Sequence, residues 1–307
     1  MKKKILILGG FGFLGKSLNK ALEDDYIIYN ESRRTDCDAL NLEVLTSKIE
    51  KITPDIIIFT SAHVGSINYV SEHAAEVIND NIQMYINLYK AVTEVNKDII
   101  IINPLANCSY PGVINIQNEE YWWDGKIHES VEAYGMSQKT AFIISECYKK
   151  QYGIKTINLI LPGLYGEGDY FDEERTHAMS GIIMRMIGAQ KNNDEEFEVW
   201  GTGSPIREWL FVDDVGRIVK EIIDDDKYDL PNPLNLGQEH GISIKDIALK
   251  VKELLNYDGN IVYDTTKQDG APIKILDSKL FNEHFPEFRF TGYEVGINNA
   301  INYYKNV

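Results

Sequence analysis

Four consecutive aliphatic residues, Ile5-Leu6-Ile7-Leu8, run directly into Gly9-Gly10-Phe11-Gly12-Phe13-Leu14-Gly15 and on into Lys16-Ser17-Leu18-Asn19-Lys20-Ala21-Leu22. An unbroken aliphatic run suits a strand buried on both faces, the strand of a parallel sheet. Leu14, Leu18, Ala21 and Leu22 then recur at helical spacing, so the glycines fall on a strand-to-helix turn. Placed there, Gly9, Gly12 and Gly15 can serve a tight turn, a close approach of backbone to a pyrophosphate, and close packing of helix on sheet. The N–H groups that open the helix would meet the phosphates. A plain turn is the competing reading of the glycines alone. The order of strand, glycines and helix in the first β-α unit selects dinucleotide binding.

The same alternation continues. Tyr26-Ile27-Ile28-Tyr29, Asp55-Ile56-Ile57-Ile58-Phe59-Thr60, Asp98-Ile99-Ile100-Ile101-Ile102-Asn103 and Thr156-Ile157-Asn158-Leu159-Ile160-Leu161 read as further buried strands, with a helix from about Asn79 to Val95. This spacing implies an α/β fold: a Rossmann-type, doubly wound parallel sheet. Beyond about residue 165 the pattern loosens into loops, short helices and isolated strands such as Phe197 to Trp200. The expected division is a dinucleotide-binding domain over 1–165 and, over 166–307, a smaller C-terminal lobe, mainly substrate-binding and interleaved with the first domain. At 307 residues the chain is long enough for both.

A net charge of -16 argues against nucleic acid and anionic membrane as partners, since both demand a basic surface. Cys37, Cys108 and Cys147 are odd in number and lack metal-type spacing, which implies no metal site and suits a reducing, cytoplasmic setting. Lys2-Lys3-Lys4 precede too short an apolar run for a signal peptide, and no stretch approaches a membrane span. After the second strand comes Asn30-Glu31-Ser32-Arg33-Arg34. Arginines at this point suit the 2′-phosphate of NADP, and an acidic residue suits the free 2′-hydroxyl of NAD. Arg33 and Arg34 favour NADP; Glu31 keeps NAD open.

Several later segments carry a more specific signal. Ala62-His63-Val64-Gly65-Ser66-Ile67, Cys108-Ser109-Tyr110-Pro111, Leu164-Tyr165-Gly166 ahead of an acidic loop with His177, the run from Val199 to Asp214, Asn235-Leu236-Gly237, and Asp269-Gly270-Ala271-Pro272-Ile273-Lys274 are similar to segments of one family. Over nearly its whole length the chain resembles the extended short-chain dehydrogenase/reductase family, and within it the GDP-L-fucose synthase group. That resemblance implies a homodimer formed through two long helices, one after residue 79 and one carrying Tyr134. It implies an epimerase/reductase that inverts C3 and C5 of a GDP-linked 4-keto-6-deoxy sugar and reduces C4 with NADPH. Besides the glycines, it places Phe13, Leu14, Ala62, Tyr134, Lys139, Pro162 and Leu164 at the cofactor.

The same resemblance assigns chemistry. Tyr134 would protonate the ketone oxygen, helped by a lysine four residues on; here that position holds Gln138, with Lys139 next. One residue turns a helical side chain by about 100°, so Lys139 cannot simply stand in. The hydroxyl residue that usually binds the keto oxygen is replaced by Ala106, which leaves Asn107 or Ser109 to supply a hydrogen bond. Proton transfer beside a ketone needs an acid and a base of near-neutral pKa. Cysteine and histidine suit that work, and Cys108 and His177 stand at the family's acid/base positions. Arg185 and Arg207 match positions that clamp the nucleotide diphosphate, where arginine's fork fits phosphate. Trp200 would wall the base pocket and Lys274 would reach the nucleotide. Trp122-Trp123 has no counterpart there; a structural role is favoured over packing on the sugar. Two competing readings are an epimerase without net redox and a non-catalytic dinucleotide-binding protein.

Overall fold

A computed structural model of the chain describes residues 2–171, 175–267 and 269–307. Six strands form one sheet in the order Leu234–Asn235, Thr156–Leu161, Ile100–Ala106, Ile56–Phe59, Lys4–Leu8 and Ile27–Glu31, every neighbouring pair parallel. The expected doubly wound sheet is what the chain forms. From Lys4–Leu8 the chain moves outward to Ile27–Glu31, then returns to the other side for Ile56–Phe59. That reversal opens a crevice at the carboxyl ends of the strands, the place where such sheets bind ligands.

Alternation along each strand explains the all-aliphatic runs. Leu6, Leu8, Ile57, Phe59 and Ile101 point into one core, which holds Leu45 and Ile49 of helix Leu42–Ile52, Leu88 and Val92 of helix Ala74–Val95, and Ala141 of helix Glu132–Tyr152. Ile5, Ile7, Ile56, Ile58 and Ile102 point the other way, into a core with Leu18 and Leu22 of helix Phe13–Leu22 and Ile218 and Ile222 of helix Val212–Asp224. With a period of two and helices on both faces, the inner strands are buried on both sides, while the edge strand Ile27–Glu31 is only partly covered and Ile27 is exposed.

The fourth strand in the chain is longer than its sequence suggests. It runs through Pro104 to Ala106, because its ladder with Ile56–Phe59 stops at Ile102 while pairing with Thr156–Leu161 continues. Past Ile102 one edge of the strand is free, and a residue without an N–H is tolerated there. This extension delivers the Cys108 turn. The helix expected from about Asn79 begins earlier, at Ala74, since Ala74-Ala75-Glu76 are helix formers with no breaker before them.

A second sheet combines strands from the first 165 residues with strands from later in the chain. Ile206–Phe211 pairs with Gly163–Tyr165, Gly241–Ser243 and Ile273–Leu276, and Ile273–Leu276 in turn pairs with Ile116–Gln117. Phe197 to Trp200, expected as an isolated strand, belong to strand Glu196–Trp200, which pairs with Asn260–Asp264, whose distance in sequence hides the partnership. Glu208 is a strut at the centre. Its buried carboxylate accepts N–H groups from Gln238 at 2.5 Å, Glu239 at 3.1 Å and Leu276 at 2.6 Å. Burial pushes this carboxyl up to about 7 against the pull of those three donors. The strut joins the strand of Arg207 to the strand of Lys274.

The loop after Ile56–Phe59 is also fixed. Buried Asn81 accepts the His63 N–H at 3.0 Å and donates to the His63 carbonyl at 2.8 Å. The His63 ring bridges Asp80 at 2.8 Å and the Tyr69 hydroxyl at 2.9 Å. A rigid loop therefore lines the crevice beside the glycine turn.

Candidate active site

Backbone crowding forces glycine into the first turn. Gly9 has φ +89°, and a Cβ there would lie 2.7 Å from Thr60 Oγ1 and 2.8 Å from Ser61 N. At Gly15 a Cβ would collide with the Gly9 carbonyl oxygen, so the helix rests directly on the turn. A Cβ at Gly12 would meet only the Gly9 carbonyl at 3.2 Å and the Tyr170 hydroxyl at 3.7 Å. The Gly9 N–H donates to the Glu31 carbonyl and the Gly12 N–H to the Gly9 carbonyl, which leaves the first-turn N–H groups of helix Phe13–Leu22 at the crevice, a cradle of the kind a pyrophosphate fills. Phe13 and Leu164 are buried in the same core cluster, with Leu14 packed against it; Pro162 is buried beside them and Ala62 is exposed on the fixed loop.

At the end of the second strand the acidic residue is already committed. Lys48 Nζ contacts both Glu31 carboxylate oxygens at 2.9 Å, and the Thr35 hydroxyl donates to one of them at 2.5 Å. Arg33 and Arg34 are exposed on a short 3-10 turn, and neither guanidinium has an ion-pair partner among the described residues. The cations are the available groups here, as a 2′-phosphate requires.

Cys108 sits on the turn Asn107–Ser109, and helix Glu132–Tyr152 comes up against it through Gly135, where a Cβ would lie 2.9 Å from the Cys108 carbonyl. Half-buried Tyr134 therefore lies beside Cys108. Burial, with Cys108 adding to it, pushes the Tyr134 phenol well above its usual range. Burial likewise pushes the Cys108 thiol up to about 11, with the Lys274 charge pulling it down. Gln138 Oε1 accepts the Ala106 N–H at 3.3 Å, so the residue in lysine's place ties the helix to the strand end. Asn107 donates to Gln117 at 3.1 Å, and its second N–H has no partner among the described residues. Ser109 drops out as a donor to the keto oxygen: it is fully buried, giving its hydroxyl hydrogen to the Ala106 carbonyl at 2.7 Å and accepting from Trp122 Nε1 at 2.9 Å.

Trp122 is therefore structural. Its ring also packs on Phe142, and half-exposed Trp123 lies against it. Lys139 is buried under this pair, its ammonium 4.9 Å from the Trp123 ring and 5.9 Å from the Trp122 ring, and burial lowers its pKa. Helical rotation has turned Lys139 to the tryptophans rather than to Tyr134 and Cys108.

His177 is placed with the glycine turn, its ring 5.4 Å from that of Phe13. Among the described residues no hydrogen bond or ring contact joins it directly to Cys108 or Tyr134. It follows an acidic loop of which residues 172–174 lie outside the described residues. Its Nδ1 lies 3.1 Å from each carboxylate oxygen of Asp169, whose side chain is fully buried. Sequence reasoning passed over Asp169. The signal available was a carboxylate in Gly166-Glu167-Gly168-Asp169, eight residues before the histidine.

In the second sheet, Arg207 and Lys274 are register partners on adjacent parallel strands, so their side chains share a face. Burial lowers both pKa values; Asp269 opposes this at Arg207 and Cys108 opposes it at Lys274. Two partly buried cations thus stand side by side next to Cys108, an arrangement chemically suited to an anion. Arg185 stacks its guanidinium 4.9 Å from the half-exposed Trp200 ring and 5.2 Å from that of Phe197. The Trp200 end is tied toward Arg207 through Asp269, which accepts the Thr202 N–H at 3.0 Å.

A dinucleotide-type turn, a sheet reversing beside it and the paired cations Arg207 and Lys274 define a Rossmann-type protein built for a nucleotide ligand. The chain belongs to the NAD-dependent epimerase/dehydratase family, whose pattern matches residues 5–237. It is 26% identical to GDP-L-fucose synthase of Dictyostelium discoideum over 307 residues, 99% of this chain and 95% of that one. Probable GDP-L-fucose synthase 1 of Oryza sativa subsp. japonica is 30% identical over 231 residues, 75% of this chain and 70% of that one. Among solved structures, a GDP-L-fucose synthetase from Naegleria fowleri superimposes with a TM-score of 0.87 at 25% identity, covering 99% of this chain and 93% of that one.

With its thiol pushed up to about 11, Cys108 is protonated across the neutral range, and the thiolate reached by alkylating agents grows only as pH rises toward that value. At pH 8, iodoacetamide should modify Cys108 about two orders of magnitude more slowly than an ordinary thiol of pKa ~8.5. Lys274→Met should slow it further. Peptide mass spectrometry checks both, and rapid Cys108 labelling at pH 8 would contradict the burial argument.

Proposed function

We propose that the chain is an NADP-dependent nucleotide-sugar epimerase/reductase acting on a GDP-linked 4-keto-6-deoxy sugar. The observation that carries this reading is the convergence of Cys108, Tyr134, Lys274 and Arg207 at the carboxyl end of the sheet. The glycine turn would hold the pyrophosphate of NADP, and Arg33 and Arg34 its 2′-phosphate. When bound, NADPH supplies the hydride for C4.

The chain's own groups do the rest. Arg207 and Lys274 hold the diphosphate of the substrate, and Arg185 with Trp200 holds its outer end. Cys108 and His177 exchange protons at the carbons beside the ketone, one removing a proton and the other returning one to the opposite face. Tyr134, kept neutral by burial, donates its proton to the alkoxide that forms on reduction. Asn107 gives its remaining N–H to the keto oxygen.

A second reading, epimerisation without net reduction, is favoured by Gln138 and Ala106. Position 138 offers an amide instead of an ammonium to lower the Tyr134 pKa, and position 106 offers no hydroxyl. Proton exchange should therefore outrun hydride transfer.

A homodimer fits the outer surface. Ile78, Ile82 and Ile86 lie half-buried along helix Ala74–Val95, and Met136 and Ile143 are exposed along helix Glu132–Tyr152. Between them lies an open, mostly apolar hollow of about 510 Å³, lined by Val70, Ala74, Ile78, Ala133 and Met136 among others. Two such helix pairs facing each other would cover it. A cytoplasmic setting accords with this reading; no helix among the described residues is long and apolar enough to cross a membrane. Sedimentation should give twice the chain mass at micromolar concentration, and Met136→Glu/Ile143→Glu should give the monomer; a wild-type monomer would refute the dimer.

The activity is tested by incubating GDP-4-keto-6-deoxymannose with the protein in deuterated water, alone and with NADPH or NADH, and following NMR and absorbance. Deuterium should enter C3 and C5 without added cofactor, and faster than NADPH is oxidised. NADPH should be used in preference to NADH. No deuterium and no oxidation would refute the substrate assignment.

A further inference from the structure

The carboxylate of Asp169 has no place in the scheme above, yet it is the most completely enclosed acid near the crevice, with its side chain fully buried. An isolated buried carboxylate is costly unless donors surround it. Asp169 has three. It accepts the backbone N–H of Tyr170 at 2.9 Å, the backbone N–H of His177 at 3.2 Å, and the His177 ring at 3.1 Å from Nδ1 to each oxygen. Its own backbone is anchored as well. The Tyr304 hydroxyl accepts the Asp169 N–H at 3.2 Å and donates to the Gly166 carbonyl at 2.8 Å. Helix Tyr293–Lys305, near the C-terminal end of the chain, therefore fixes the loop that carries the carboxylate.

We infer that Asp169 is the positioning residue of His177. Resting on the reading of His177 as a proton-exchanging group, this assigns the nitrogen that works. An ionised carboxylate only accepts, so the ring nitrogen facing it carries the hydrogen. His177 is then held as the Nδ1–H tautomer, and Nε2 keeps the lone pair. The ring is 39% exposed and lies 5.4 Å from that of Phe13 at the glycine turn, so with Nδ1 committed to Asp169 the nitrogen left for proton exchange is Nε2. When Nε2 takes a proton the imidazolium forms against the carboxylate, which stabilises it without itself becoming protonated. When Nε2 gives the proton up, the same hydrogen bond restores the starting tautomer. Rotation of the ring, which would present the wrong nitrogen, breaks both contacts to Asp169.

Long-range ¹H–¹⁵N NMR reads the tautomer of each of the six histidines, and His177→Gln identifies the signal that belongs to His177. In the wild-type protein at a pH where that ring is neutral, it should show the Nδ1–H form; an Nε2–H form overturns the inference without need of any further variant. Asp169→Asn offers an amide in place of the acceptor. It should populate the other tautomer and slow deuterium incorporation by about 10²–10⁴-fold, as loss of an orienting carboxylate does elsewhere, while KM changes less than about threefold. Asp169→Asn exchanging at the wild-type rate with an unchanged tautomer would overturn the role. A His177→Gln protein that still exchanges normally would instead refute the catalytic reading of His177, which the wild-type tautomer does not decide.

Discussion

Contact of backbone with backbone at the carboxyl ends of the central strands is the constraint on which the rest of the molecule depends. Gly9 lies against Thr60 and Ser61, Gly15 against Gly9, and Gly135 against the Cys108 carbonyl. Each side chain added at these points would wedge apart two elements whose separation defines the crevice. Helices cover both faces of the sheet, so the carboxyl edge of the strands is the place where polar backbone groups meet a ligand. The second sheet follows from the same geometry. The chain leaves the extended strand Ile100–Ala106 beyond the end of its neighbour, pairs Ile116–Gln117 with Ile273–Leu276, and so brings Lys274 to Cys108.

Most of the sheet was legible in the sequence because burial on both faces writes itself as runs such as Ile56-Ile57-Ile58 and Ile99-Ile100-Ile101-Ile102. Legibility failed where an element depends on a partner far away in the chain. Strand Glu196–Trp200 looked isolated because Asn260–Asp264 lies sixty residues on, and Pro104 concealed the end of a strand that has a free edge only in three dimensions. The candidate site shows the same division. Cys108, Tyr134 and the glycines stand in recognisable local patterns. Asp169, the Lys48–Glu31 pair and the enclosure of Ser109 by Trp122 are tertiary facts without periodicity. Choosing between Glu31 and Arg33-Arg34 required knowing that Lys48 already neutralises the acid.

The electrostatics separate the two halves of the proposed reaction. Proton exchange rests on a thiol and an imidazole with a charged neighbour each, Lys274 beside Cys108 and Asp169 beside His177. Hydride transfer rests on a phenol whose pKa burial raises, with an amide rather than an ammonium one helical turn away. A neutral phenol is still a proton donor, so reduction is slowed rather than forbidden; the reverse oxidation, which needs the phenolate, suffers more. Gln138 has been given different work, tying the helix to Ala106, and Lys139 is held under Trp123.

The central claim is that this pair of positions, Ala106 and Gln138, divides the chemistry. The direct measurement is the rate of NADPH oxidation with the 4-keto substrate in the wild-type protein and in Ala106→Ser/Gln138→Lys, set against deuterium incorporation in the same samples. The account predicts that the double variant oxidises NADPH at least about tenfold faster, a gain of ~1.4 kcal/mol in the barrier, with deuterium incorporation changed less than about threefold. A wild-type protein that oxidises NADPH as fast as it exchanges protons, and gains nothing from the restored hydroxyl and ammonium, would contradict it.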